Sequence, residues 1–134
     1  MPLTVADLEK GHQFPPVEFD LSQEWVSEYT KAVGDTAISR LGSDVVPPMA
    51  IAALGLCALL QHAALAQGTI HAGQEVSFHR AAHVDDTLSM RASVGSRGER
   101  AGWVLMSVDL EASGPSGNVM TGRTTITFPV DNPI

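Results

Sequence analysis

Carboxylates and imidazoles are the usual carriers of acid–base chemistry, and one polar stretch of this chain holds a carboxylate. Asp35 follows Gly34 in the polar run Gly34–Val46, GDTAISRLGSDVV, which also carries Arg40 and leads into an apolar segment opened by Pro47 and Pro48. Plain readings stand beside the catalytic one: an Asp after a helix-ending Gly can simply serve the turn, and an Arg in a polar loop is ordinarily solvated. Arg40 keeps its proton at any working pH, so it can hold an anion or orient Asp35 but cannot be a general base. His71, His79 and His83 raise the question of a metal. His79 and His83 lie on or beside a strand, where a four-residue gap separates side chains by about 13 Å, and no Cys or close carboxylate completes a tetrahedral set, so no metal is expected. Cys57, midway along an apolar helix, is expected to be an inert core thiol, and His62, late in that helix, a semi-buried hydrogen-bonded side chain. Ser39 and Ser43 have no neighbouring His for nucleophilic catalysis, and the glycines between 95 and 102 sit in a hairpin, not in a phosphate loop.

These residues must be positioned by a small set of elements. Ser22 to about Val33 reads as a helix, with Ser22 as N-cap, Glu24 in the first turn, Leu21 placed to staple onto Val26, and Trp25, Tyr29 and Val33 on one face. Ahead of it, Phe14–Phe19 reads as an edge strand or irregular lead-in because of Pro15 and Pro16. Val45–Ala66, VVPPMAIAALGLCALLQHAALA, is apolar almost all round. Its longest run free of Gln, His and charge, Val45–Leu60, falls short of the roughly 20 residues that span a bilayer, so a buried core helix is expected, opened by Pro47 and Pro48 and stopped by Gly68. Beyond Gly68 the apolar positions alternate: Val76 and Phe78, then Leu88 to Val94, then Val104 to Leu110, then Met120 to Phe128. Turn signals at 96–102 and 113–118 make these an antiparallel meander, with Arg97 and Arg100 exposed in the first turn. A helix buried all round needs a surface to wrap it, and a curved antiparallel sheet with one apolar face supplies it. The expected class is α+β.

The chain has 134 residues, enough for a single domain spanning 1–134 with its own core. Eight Lys+Arg against fifteen Asp+Glu give a net charge of −7, which disfavours nucleic acid and anionic membrane surfaces. One cysteine and an N-terminal stretch with acids and prolines in place of a basic patch and apolar run fit a cytoplasmic setting.

The run Tyr29-Thr-Lys-Ala-Val-Gly-Asp35, the helix opening Val46-Pro-Pro-Met49, and Ile70-His-Ala-Gly-Gln-Glu-Val-Ser-Phe-His-Arg80 followed by Val84-Asp-Asp-Thr-Leu88 together resemble the MaoC-like hydratase/dehydratase family. The resemblance is closest to its fatty-acid-synthase-like, N-terminal-type dehydratase half and covers roughly Gly11 to Pro129. It implies a hot-dog fold, in which a curved antiparallel sheet wraps one long apolar helix. It also implies a homodimer or heterodimer with another hot-dog subunit, and an acyl-CoA or acyl carrier protein thioester bound at the interface. The implied activity is reversible addition of water to a 2-enoyl thioester, giving an (R)-3-hydroxyacyl product, as in fatty acid metabolism, without a cofactor. Active members use an Asp-x-Asn-Pro-x-His loop between the helices and a backbone N–H at the start of the central helix. Asp35 matches the catalytic Asp, but Thr36-Ala-Ile-Ser-Arg40 follows it, so Arg40 stands where the His is expected. Pro48 stands where a Gly is frequent and offers no N–H, which leaves Met49 N–H as its substitute. His71 and Gln74 are expected at the dimer seam or acyl-thioester tunnel. The departures favour a second reading, a non-catalytic hot-dog subunit or acyl-CoA-binding partner. Thioesterase activity, which other hot-dog families perform with a carboxylate near the central helix, ranks last because Val45–Ala66 contains none.

Overall fold

The computed structural model describes residues 3–34 and 44–130. Strand β1 (Leu3–Thr4) and a 3-10 turn (Val5–Asp7) lead to the edge strand β2 (Val17–Asp20), helix α1 (Gln23–Val33), helix α2 (Pro48–His62), β3 (Ala63–Ala64), and the long strands β4 (Ile70–Phe78), β5 (Thr87–Arg100), β6 (Trp103–Gly114) and β7 (Gly117–Pro129).

Local chemistry sets these bounds. Phe14 N–H donates to Ala92 O at 3.0 Å, Pro15 and Pro16 then interrupt the pairing, and β2 resumes it with Val17 opposite Met90. Ser22 caps α1 by accepting from Trp25 N–H at 3.2 Å, Gly34 ends it in the left-handed region at φ 67°, and Leu21 and Val26 are both buried as the staple requires. Of the expected aromatic face, Trp25 and Tyr29 stack, whereas Val33 is exposed.

Helix α2 begins as expected, with Pro47 as N-cap and Pro48 at its first position, but it ends at His62 and does not reach Ala66. Ala63 is already extended, and Ala63–Ala64 pair in parallel with Leu3–Thr4. Pairing with the N-terminus thus stops the helix, while Gly68, at φ 83°, lies in the turn before β4.

The sheet order is β2-β5-β6-β7-β4. Only β5, β6 and β7 form the expected meander; β4 crosses to pair with the far side of β7, with α2 packed on the inner face. That face carries Leu88, Met90, Val94, Val104, Met106, Val108, Met120, Ile126 and Phe128, all buried, as the alternation predicts. At Gly55 the helix lies tight against the sheet, where an added Cβ would lie 2.8 Å from Leu110 Cδ1. The β5–β6 turn is only Ala101–Gly102, at φ 53° and 85°, so most of 96–102 is strand. Arg97 is accordingly half-buried, donating to Leu8 O at 3.3 Å, and is not the exposed turn residue expected.

The expectation of a helix buried all round is corrected. Ile51, Leu54, Ala58 and Leu59 face the sheet, but Met49 is 56% and Leu60 is 53% exposed, with Ala53 and Cys57 exposed between them. The sheet ends at β4, and none of the described residues covers that apolar stripe. No helix among the described residues is long and apolar enough to cross a membrane.

Candidate functional site

The start of α2 is built by two prolines. Pro47 and Pro48 carry no N–H, and Ala50 N–H turns back to Pro47 O at 3.0 Å, so Met49 N–H is the first-turn amide without an acceptor in the helix. It carries the positive end of the helix dipole. Beside this turn lies a cavity of about 390 Å³ lined by Val45, Val46, Pro48, Ile51 and Phe78, with His79, Arg80, Ala81 and Ala82 along its wall. Val46 N–H bonded to Ala82 O at 2.9 Å, and Val84 N–H to Asp44 O at 2.7 Å, tie the helix lead-in to the β4–β5 connection and hold this wall in place. The lining suits an apolar group, and the helix turn that Pro48 opens beside it carries partial positive charge.

Asp35 and Arg40 lie outside the described residues. Their run leaves α1 at Gly34 and rejoins the structure at Asp44, next to Val45 on the cavity wall.

His71 and Gln74 form a second group. Gln74 Oε1 accepts from Thr124 Oγ1 at 2.7 Å and lies 3.2 Å from His71 Nε2. Thr124 is fully buried, and the Gln74 Nε2 donor is buried without a partner. Gln74 and Phe78 are four residues apart on β4, a rise of about 13 Å, so this cluster is not part of the cavity at the helix start. It lies on the strand that ends the sheet.

Other expectations change at the side-chain level. Cys57 is exposed on the α2 stripe and is not a core thiol, because no described strand lies over that face. His62 stacks on Phe14 at 5.9 Å between ring centroids, but its Nε2 is buried without a hydrogen-bond partner, contrary to the expected bonded state. His79 Nε2 lies 2.9 Å from Thr121 Oγ1, and His83 pairs loosely with Asp86 at 4.0 Å. On the outer face, Arg123 donates to Asp109 at 2.8 Å, and that hydrogen bond, more than the accompanying charge attraction, raises its pKa.

No family model matches the chain, and no curated protein matches it in sequence. Solved structures do match along almost its whole length. A MaoC-like dehydratase from Rhodospirillum rubrum superposes with a TM-score of 0.75 at 18% identity, covering 98% of this chain and 99% of that one. The chain has the hot-dog fold. The R-hydratase PhaJ1 from Pseudomonas aeruginosa, unliganded, gives 0.73 at 18% identity over 99% of this hot-dog and 93% of its own chain. The C-terminally truncated HadBC complex, a 3R-hydroxyacyl-ACP dehydratase from Mycobacterium tuberculosis, gives 0.74 at 22% identity over 92% and 100%. The resemblance read from the short motifs and the likeness in three dimensions thus lead to the same fold. Arg80 was not singled out in the sequence, although it closes one of the motifs; its signal is spatial, at the cavity wall.

Proposed function

We propose that this hot-dog chain is a subunit of an acyl-thioester hydratase/dehydratase, adding water reversibly to a 2-enoyl group carried on CoA or an acyl carrier protein. The observation that carries the reading is an apolar cavity lined by Pro48 and Ile51 beside the positive end of α2, where the Met49 N–H has no acceptor among the described residues. In that reading the thioester carbonyl accepts from Met49 N–H, and the acyl chain fills the space beside Ile51 and Phe78. Negative charge develops on the carbonyl oxygen as water adds, so the donor favours the transition state over the ground state. Asp35 takes a proton from water as the new C–O bond forms at C3 and returns it to C2, leaving the carboxylate unchanged. Arg40, always protonated, contributes charge and orientation only.

The uncovered α2 stripe and the free edge of β4 support a paired assembly, with a second hot-dog chain over Met49, Cys57 and Leu60. Arg40 in place of a His favours a second reading, in which the partner holds the catalytic pair and this chain shapes the acyl pocket. Assays of crotonyl-CoA hydration decide between them. The leading reading expects turnover by the purified chain and a loss of at least about 100-fold on Asp35→Asn, the usual contribution of a general base. Turnover only after co-expression with a second hot-dog chain, unaffected by Asp35→Asn, supports the alternative. Gain of activity on Arg40→His would show that the scaffold remains competent.

A further inference from the structure

We propose that Arg80 is a phosphate-binding residue, taking the phosphate of a pantetheine arm whose thioester end enters the cavity at the start of α2. The proposal rests on the acyl-thioester reading and names the group that anchors the ligand's far end.

Arg80 is shared between two cavities. One is the apolar space of about 390 Å³ bounded by Val45, Pro48, Ile51 and Phe78; the other, of about 270 Å³, is bounded by His83, Asp86, Pro115 and Ser116. The guanidinium is fixed from behind: Nε donates to Asn118 O at 3.2 Å, and Gly117, at φ 118°, brings bare backbone against it, since an added Cβ would lie 3.7 Å from Arg80 Cζ. Nη1 and Nη2 bond to none of the described residues, and no described carboxylate forms an ion pair with this side chain. Asp86 shares the second cavity, but its Oδ2 accepts from His83 N–H at 2.9 Å and lies 4.0 Å from His83 Nδ1. His79, the other basic side chain on the cavity wall, is engaged with Thr121. Elsewhere, Arg123 is bound to Asp109, Arg97 to Leu8 O and Glu99, and Arg91 lies opposite Glu111. A held guanidinium whose two amino groups bond to none of the described residues suits a phosphate oxygen pair. With an apolar cavity on one side and a polar one on the other, the complementary ligand is an apolar thioester carrying a phosphate. In a chain of net charge −7, such a ligand needs a local cation.

Free CoA and a carrier-borne arm share this chemistry, and binding calorimetry with pantetheine, 4′-phosphopantetheine and CoA separates them. The wild-type chain should bind 4′-phosphopantetheine about 10-fold tighter than pantetheine, as one charge-assisted contact provides. Arg80→Gln should erase that gap, and Arg80→Lys should keep part of it, with melting temperatures unchanged because the side chain is exposed. CoA binding tighter than 4′-phosphopantetheine identifies free CoA as the source; equal binding identifies a carrier. A wild-type chain that does not distinguish pantetheine from its phosphate, or a gap that survives Arg80→Gln, overturns the proposal. A chain that makes the distinction but hydrates nothing refutes catalysis and leaves the phosphate site standing. Crotonyl-pantetheine and crotonyl-CoA hydrated at the same kcat/KM, with and without Arg80, refute the phosphate site alone.

Discussion

Thr124 shows how little a single hydroxyl must do to matter. It is fully buried and satisfies Gln74 Oε1, whose own Nε2 already lacks a partner, so Thr124→Val leaves the amide with only the His71 contact. The expected cost is about 1–2 kcal/mol, read as a lowered melting temperature, and His71→Ala in the same background should cost little more because both act on one oxygen. Gly55 is a sharper case, because a methyl there would press on Leu110 Cδ1 at 2.8 Å. Gly55→Ala gains about 1 kcal/mol of helix propensity and loses about 1–3 kcal/mol to overpacking, and Leu110→Val should recover the loss in thermal melts. Neither effect is legible in the sequence, where Thr124 reads as one polar residue on an apolar face and Gly55 as a blemish in a helix. The same holds for Arg80. Its neighbours are set by the β6–β7 turn, far away in the chain, so no spacing rule points to it.

At the scale of elements, hydropathy located both helices and all four long strands, and capping chemistry placed the start of each helix within a residue. What it could not place is what lies outside a segment. A helix that is apolar on every side carries no phase, so the sequence could not say which side its own sheet covers and which side waits for something else. The early end of α2 has a similar origin, since the two-residue pairing of Ala63–Ala64 with Leu3–Thr4 is non-local and outweighs the helical preference of alanine. The uncovered stripe makes a prediction of its own. Leu60→Lys should leave the melting temperature within about 1 °C, as exposed changes do, and shift the light-scattering mass toward one chain. A wild-type chain that is monomeric at every concentration, alone and with a second hot-dog subunit, would remove the paired assembly. Cys57, as the single cysteine, reports on the same face: its alkylation rate should fall as concentration rises and stay constant in the Leu60→Lys chain.

For the molecule as a whole, the sheet order β2-β5-β6-β7-β4 separates what is local from what is not. Composition and alternation together implied a sheet wrapped on a helix, but the place of β4 was hidden, because register between distant strands depends on packing that no short window contains. The three strands β5, β6 and β7 are joined by two-residue turns, whereas Ile70 on β4 must find Thr127, and β2 must return to the opposite flank at β5. Hairpins with such turns close in microseconds, but a strand that must span the intervening chain waits for them. The edge that ends the sheet is therefore the last part of it to exist. Refolding followed by backbone circular dichroism should proceed at a rate independent of protein concentration, while recovery of the hydration activity proposed above should lag and become second-order on dilution. In the proposed pairing, folding and assembly are consecutive: each chain would finish its own sheet before it presents a surface for another copy or a different subunit.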